Sequence, residues 1–317
     1  MKNRKVVLVG DGAVGSTFAY SLIQSVKTVE ELVIVDLNKE RSQGDAMDLQ
    51  DVTPLTADID IHIGDYQDAA DAAIVVITAG VPRRPGETRL DLVNKNVKIL
   101  RSIVEPIVAS GFNGIFVISA NPVDILTTLT QKISGFPRER VIGTGTFLDK
   151  ARLNVILGDH FGFKPSEIDA LVLGEHGDTS FVNFDEAKVN GRLLKDQVEL
   201  TQEVKDQIET EVRQRGGKII GSKGATFYGV AYGLSTICRA ILENNYKMMV
   251  VSAPLSGQYG IKDLYLGTPA VINNSGIAQV IQTHLSPEEH AKMKYSAEQM
   301  QEIIDGVAQS NEKSDDE

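Results

Sequence analysis

A histidine flanked by glycine on one side, in Gly174-Glu175-His176-Gly177-Asp178, follows the apolar run Ala170-Leu171-Val172-Leu173. Imidazole is the side chain whose ordinary pKa suits proton exchange near neutrality, and nearby glycines give a reactant close access. The other histidines, His62, His160, His284 and His290, lack such a setting. Asp149 and Arg152 stand three apart in a helical stretch, which puts a carboxylate and a guanidinium on one face. The segment from Gly80 to Arg89 combines prolines and glycines with Arg83, Arg84 and Arg89. It has the makings of a basic flap that closes over a carboxylate substrate, excludes water and polarises a carbonyl. Asn121-Pro122-Val123-Asp124 ends another strand-like run, where an asparagine can bond a substrate oxygen. Each piece has a plainer reading: a structural histidine, a surface ion pair, a solvated basic loop, a turn. Taken singly, none decides.

The element that must position them begins at Gly10-Asp11-Gly12-Ala13-Val14-Gly15, between the apolar run Val6–Val9 and an amphipathic stretch to about Ser25. This reads as strand, phosphate-binding turn and helix: Gly10 permits the turn, Gly12 lets backbone approach a pyrophosphate, and Gly15 lets helix pack on strand. A Walker loop is the nearest alternative, but Ser16 follows Gly15 where the phosphate-binding lysine is required. Asp36 closes the next strand-like run, Leu32–Val35, where a carboxylate can bind both ribose hydroxyls of an adenosine. That acid favours NAD, since a 2′-phosphate would meet its charge.

Further apolar runs at Ile59–Ile63, Ala73–Ile77 and Ile115–Ile118 alternate with helical patterns. The rhythm predicts a doubly wound parallel sheet with ligands at the carboxyl ends of its strands. After about Gly145 the pattern changes, with helical stretches at Asp149–Gly158 and Glu203–Ile220 among shorter strand-like pieces, and predicts an α+β lobe. Ser286-Pro287-Glu288-Glu289 has the residues of an N-cap and capping box, and Met293, Ala297, Met300, Ile304 and Val307 then fall on one helix face. The expected division is 1–145 for the nucleotide, 146–309 for the substrate, and an acidic flexible tail at 310–317.

A net charge of −11 disfavours nucleic acid, which relies on basic surface. The apolar runs are too short to span a bilayer, and Met1–Lys5 leads into a strand without a signal-peptide apolar region. The single cysteine, Cys238, excludes an internal disulfide framework or a cysteine metal cluster and fits a reducing cytoplasm; it is expected to be buried packing.

Taken together, Gly12–Gly15, Pro85–Leu92, Asn121–Asp124, Leu148–Arg152, Gly174–Asp178 and Lys223–Gly229 resemble the NAD-dependent lactate/malate dehydrogenase family, and most strings resemble its bacterial L-lactate dehydrogenases. The resemblance implies a Rossmann-type domain, NAD as cofactor, and a small 2-oxo or 2-hydroxy acid as substrate. It further implies that His176 donates and accepts the proton, Asp149 orients it, Arg152 forks the substrate carboxylate, and Arg89 in the lid polarises the ketone. Asn121 matches a substrate-bonding residue, Thr226 a lactate-dehydrogenase-like substrate contact, and Arg41, Tyr66 and Gly80 the adenosine-side contacts, beside Gly10, Gly12, Val14, Gly15 and Asp36. These roles are chemically coherent: reduction puts negative charge on the carbonyl oxygen as hydride arrives, an imidazolium quenches it, and a guanidinium holds a carboxylate with two parallel bonds.

Two departures matter. The lid position where the lactate enzymes carry glutamine is Arg83, as in malate dehydrogenases, and with pyruvate that guanidinium either stays partly solvated or loses water without a partner, at a cost on the order of several kcal/mol. Gly216-Gly217 likewise leaves room beyond a methyl group. The expected substrate pair is therefore oxaloacetate and L-malate, with pyruvate and L-lactate the alternative. Where many bacterial relatives bind fructose 1,6-bisphosphate through a cation and a histidine, this chain has Asn154 and Asp169, so no activation is expected. Family analogy implies a homodimer or homotetramer.

Overall fold

The computed structural model describes residues 4–82, 86 and 88–315. Strands β1 (Lys5–Val9), β2 (Glu31–Val35), β3 (Asp60–Ile63) and β4 (Ile74–Ile77) alternate with α1 (Ala13–Ser25), α2 (Lys39–Gln50) and the one-turn α3 (Thr53–Thr56). Helix α4 (Arg89–Ala109), β5 (Ile115–Ile118), α5 (Val123–Ser134) and β6 (Val141–Gly143) complete the first half. These six strands are mutually parallel in the order β6-β5-β4-β1-β2-β3. Their Val- and Ile-rich sequences are explained by burial on both faces: α1 packs Phe18, Leu22 and Ile23 against one, and α4 packs Val97, Leu100 and Val104 against the other.

The second half holds α6 (Phe147–Phe161), β7 (Ile168–Leu173), β8 (Phe181–Val189), β9 (Arg192–Leu193), α7 (Gln202–Lys223), α8 (Tyr228–Leu242), β10 (Lys247–Ser256), β11 (Lys262–Asn273), β12 (Gly276–Val280) and α9 (Pro287–Asp315). Strands β7, β8 and β9 form a small antiparallel sheet, as an α+β lobe requires. The other three do not stay in that lobe. They extend the large sheet to nine strands, with Ser252 of β10 opposite Gly143 of β6, so one sheet crosses the division expected near 145. Gly143 and Gly145 permit this approach, because a Cβ on Gly145 would stand 2.3 Å from the Ser252 nitrogen.

The capping box at α9 is present, with Glu289 N–H donating to Ser286 Oγ and Ser286 N–H to Glu289 Oε2. The stripe from Met293 to Val307 is buried in the core. The helical backbone runs on to Asp315, into the segment expected as a tail; glutamate and lysine have favourable helix propensity. Cys238 is fully buried on α8. Among the described residues, no helix is long and apolar enough to cross a membrane.

Candidate active site

The turn after β1 brings strand and helix together as its glycines require. Gly10 has φ +100°, and a Cβ there would lie 2.6 Å from the Ala79 nitrogen, while one on Gly15 would lie 1.9 Å from the Gly10 oxygen. A Cβ on Gly12 would meet nothing within 4 Å, which is the open side a pyrophosphate needs. Asp36 ends β2 beside this turn; its Oδ2 accepts from the Asp11 amide at 2.7 Å and its Oδ1 from the Asn38 amide at 2.8 Å. Gly10, Gly12, Asp36, Tyr66 and Gly80 line one cavity of about 360 Å³, closed by Ile99 and Ser102 of α4. Burial and the Asp36 carboxylate push the Tyr66 phenol up. Arg41 is not in that lining: it lies on α2 with Nε 3.5 Å from Asp45 Oδ2. The residues fit an NAD adenosine and diphosphate.

A second cavity, of about 100 Å³, joins the two halves of the chain. Val14, Asn121 and Thr144 line it from the first half, and Arg152, His176 and Thr226 from the second. Asp149 and Arg152 are adjacent on the inner face of α6, with Arg152 Nη1 donating to Asp149 Oδ1 at 3.0 Å. His176 Nδ1 donates to the other oxygen, Asp149 Oδ2, leaving the opposite ring nitrogen for a reactant. Burial raises the Asp149 pKa, but the His176 and Arg152 charges and hydrogen bonds outweigh it and hold the carboxyl below its ordinary value. The Asp149 charge, opposed by burial and by Arg152, lifts His176 above the usual imidazole range. The site therefore presents an imidazole whose protonated form is favoured and a buried guanidinium to one small chamber.

Three consecutive amides hold the histidine loop. Gly174 N–H donates to Gly267 O at 3.0 Å, Glu175 N–H to Ser296 Oγ at 2.7 Å, and His176 N–H to Asp124 Oδ2 at 2.7 Å. Ser296 and Asp124 carry no role in the sequence reading, because a side chain that receives a distant amide leaves no local spacing to read. Asn96 of α4 is a third such residue: its Oδ1 accepts from Val81 N–H at 2.9 Å, and its Nδ2 donates to Val81 O at 3.1 Å and Asn121 O at 2.8 Å. It ties the root of the expected lid to the Asn121 loop. Arg83 lies outside the described residues, as does the side chain of Arg89, whose backbone opens α4.

Family models for the NAD-binding domain and the alpha/beta C-terminal domain of lactate/malate dehydrogenase match residues 4–143 and 146–311. The chain belongs to the lactate/malate dehydrogenase family. It is an NAD-dependent oxidoreductase acting on CH–OH groups. L-lactate dehydrogenase 2 of Lactobacillus johnsonii is 60% identical over 307 residues, 97% of this chain and 99% of the relative. L-lactate dehydrogenase 2 of Lactiplantibacillus plantarum is 59% identical over 299 residues, 94% and 96% of the two chains. Among solved structures, the minor L-lactate dehydrogenase from Enterococcus mundtii in ligands-bound form matches with TM-score 0.92 at 38% identity, covering 97% of this chain and 99% of that one. These relatives are named for lactate, so they do not support the oxaloacetate preference expected from Arg83.

Proposed function

We propose that this dehydrogenase interconverts pyruvate and L-lactate. The observation that carries the reading is the meeting of His176 and Arg152, both bonded to Asp149, in one chamber with Val14 and Asn121. Arg152 forks the substrate carboxylate, and His176 gives its proton to the carbonyl oxygen as negative charge develops there. Held by the glycine turn and Asp36, NADH would supply the hydride that balances this proton. Asp149 keeps the ring oriented and charged, and in the reverse direction the neutral ring takes the hydroxyl proton. Asn121 bonds the reacting oxygen, Thr226 bounds the chamber, and Arg89 supplies a further positive charge when the lid closes. Gly10, Gly12, Val14, Gly15, Asp36, Tyr66 and Gly80 hold the cofactor, with Arg41 at its adenosine end.

Relatives near 60% identity named L-lactate dehydrogenase favour pyruvate, and Arg83 with Gly216-Gly217 speaks for oxaloacetate. The test is kcat/KM for both oxo acids with NADH, in the wild type and in Arg83→Gln. A wild-type preference for pyruvate that Arg83→Gln widens is the expected result; a strong wild-type preference for oxaloacetate overturns the reading.

The same reading divides the chain into a nucleotide part, 1–145, and a substrate part, 146–309, and assigns it to the cytoplasm. It also entails assembly as a homodimer or homotetramer. Exposed Tyr20, Leu55, Tyr228 and Tyr232 support this, Leu55 at 84% and Tyr228 at 70% exposure, because large side chains of this kind suit a subunit contact. Sedimentation of the purified chain decides the subunit number.

A further inference from the structure

We propose that Asp124 is a positioning residue of the proton transfer, fixing the His176 backbone through its amide and placing a second carboxylate charge beside the imidazole. The inference rests on reading His176 as the proton donor.

Asp124 stands in the first turn of α5, where a helix N-terminus favours negative charge, and is 1% exposed. Its Oδ2 accepts from His176 N–H at 2.7 Å. Among the described residues its Oδ1 has no hydrogen-bond partner of good geometry, while the hydroxyl of Ser252, a fully buried residue of β10, favours the ionised carboxyl. Holding an amide does not demand this. A neutral asparagine accepts the same bond, and a buried carboxylate with a poorly satisfied oxygen is costly.

The charges around the ring supply the reason for an acid. Among the described residues, the charges that act most on His176 are Asp149 and Arg152 from α6 and Asp124 from α5; Glu175, beside it in the loop and 1% exposed, accepts from Thr179 Oγ1 at 2.8 Å. Asp149 gives one oxygen to Arg152 and the other to His176, so one negative charge is divided between two cations. With Asp124 ionised, a second carboxylate acts with Asp149 on the imidazole beside the Arg152 guanidinium. Burial pushes the Asp124 carboxyl up to about 6, helped by the Asp149 charge, while Ser252, the His176 amide and the His176 ring hold it there. Its ionised form adds to the Asp149 charge in raising His176.

The deciding variant is Asp124→Asn, which keeps shape and acceptor and removes the charge. Two readouts are taken on the full chain: the pH dependence of kcat/KM for pyruvate with NADH, and the NMR titration of the His176 ring, assigned with His176→Asn. The basic limb and the ring midpoint are both expected to move down by about half a pH unit or more, a loss of about threefold on the basic side of the limb. Ser252→Ala removes the hydroxyl that favours ionised Asp124 and is expected to move both in the same direction by less. An Asp124→Asn enzyme with unshifted limb and midpoint overturns the proposal and leaves Asp124 a structural acceptor. Should Asp124→Asn fail to fold, Ser252→Ala decides by the same criterion. A wild type that reduces no 2-oxo acid removes the functional reading instead, and the ring titration still judges the Asp124 charge.

Discussion

Arg152 Nη1 and Asp149 Oδ1 meet at 3.0 Å on adjacent turns of one helix, so the guanidinium that receives a substrate is itself steered by the carboxylate that orients the histidine. Binding and proton transfer share a single anionic pivot. A change at Asp149 acts on both at once, and a change at Arg152 feeds back on the ring.

Asp149→Asn removes the largest influence holding His176 above its ordinary value. Reduction of the oxo acid needs the imidazolium, so its rate persists as pH rises until the raised His176 pKa is passed. In the variant this basic limb moves to lower pH, and hydroxy-acid oxidation, which needs the neutral ring, begins at lower pH. A fall in kcat/KM for reduction of about 10²- to 10⁴-fold is expected from pH profiles in both directions.

Arg152→Lys keeps the charge and loses the planar fork. About 3 kcal/mol of carboxylate recognition is at stake, a hundredfold in kcat/KM for the oxo acid, with NADH affinity little changed by fluorescence titration. Gly216→Ala acts on the same group from outside, since a Cβ there would stand 3.3 Å from Arg152 Nη2. It is expected to raise KM for the oxo acid while leaving the NADH constant alone.

Asp11, in the glycine turn, is 2% exposed, and burial lifts its carboxyl to about 6, opposed by Ser42 and Arg41 and reinforced by Asp45. A carboxyl with a folded pKa above its unfolded value costs stability as pH rises from about 4 through 6, because the unfolded chain ionises more readily. Asp11→Asn removes that cost. Scanning calorimetry of the cofactor-free protein is expected to show a Tm higher by about 2–4 °C above pH 7, with the difference vanishing near pH 4.

Fructose 1,6-bisphosphate is expected to leave the rate unchanged at subsaturating oxo acid. Asp169 is two-thirds exposed with its charge directed at Lys150 Nζ, 2.7 Å away, and Asn154 Nδ2 donates to Ile168 O at 2.8 Å. A bisphosphate there meets a carboxylate and an amide already engaged. A titration of the sugar bisphosphate against initial rate checks it.

The site was legible where chemistry lives in short spacings. Gly10 to Gly15, Asp36, the pair Asp149 and Arg152, and His176 each announce a local geometry, and the structure lines one cavity with Gly10, Gly12 and Asp36 and another with Arg152 and His176. Longer-range features carry no such signature. Strands β10 to β12 join the parallel sheet through a single register pair at Ser252 and Gly143, which no periodicity could reveal. Asp124, Ser296 and Asn96 act by receiving or bridging backbone groups 15 to 121 residues away in the chain. Arg41 illustrates the converse: its motif position is readable, but its side-chain partner is the neighbouring Asp45.

The three anchored amides at 174, 175 and 176 tie the histidine loop to β11, α9 and α5, elements made from distant stretches of chain. Such a loop has no fixed shape until all three have docked, so partly assembled chains gain helix without gaining turnover. During refolding, enzymatic recovery will keep time with the arrival of the C-terminal helix rather than with collapse of the nucleotide half.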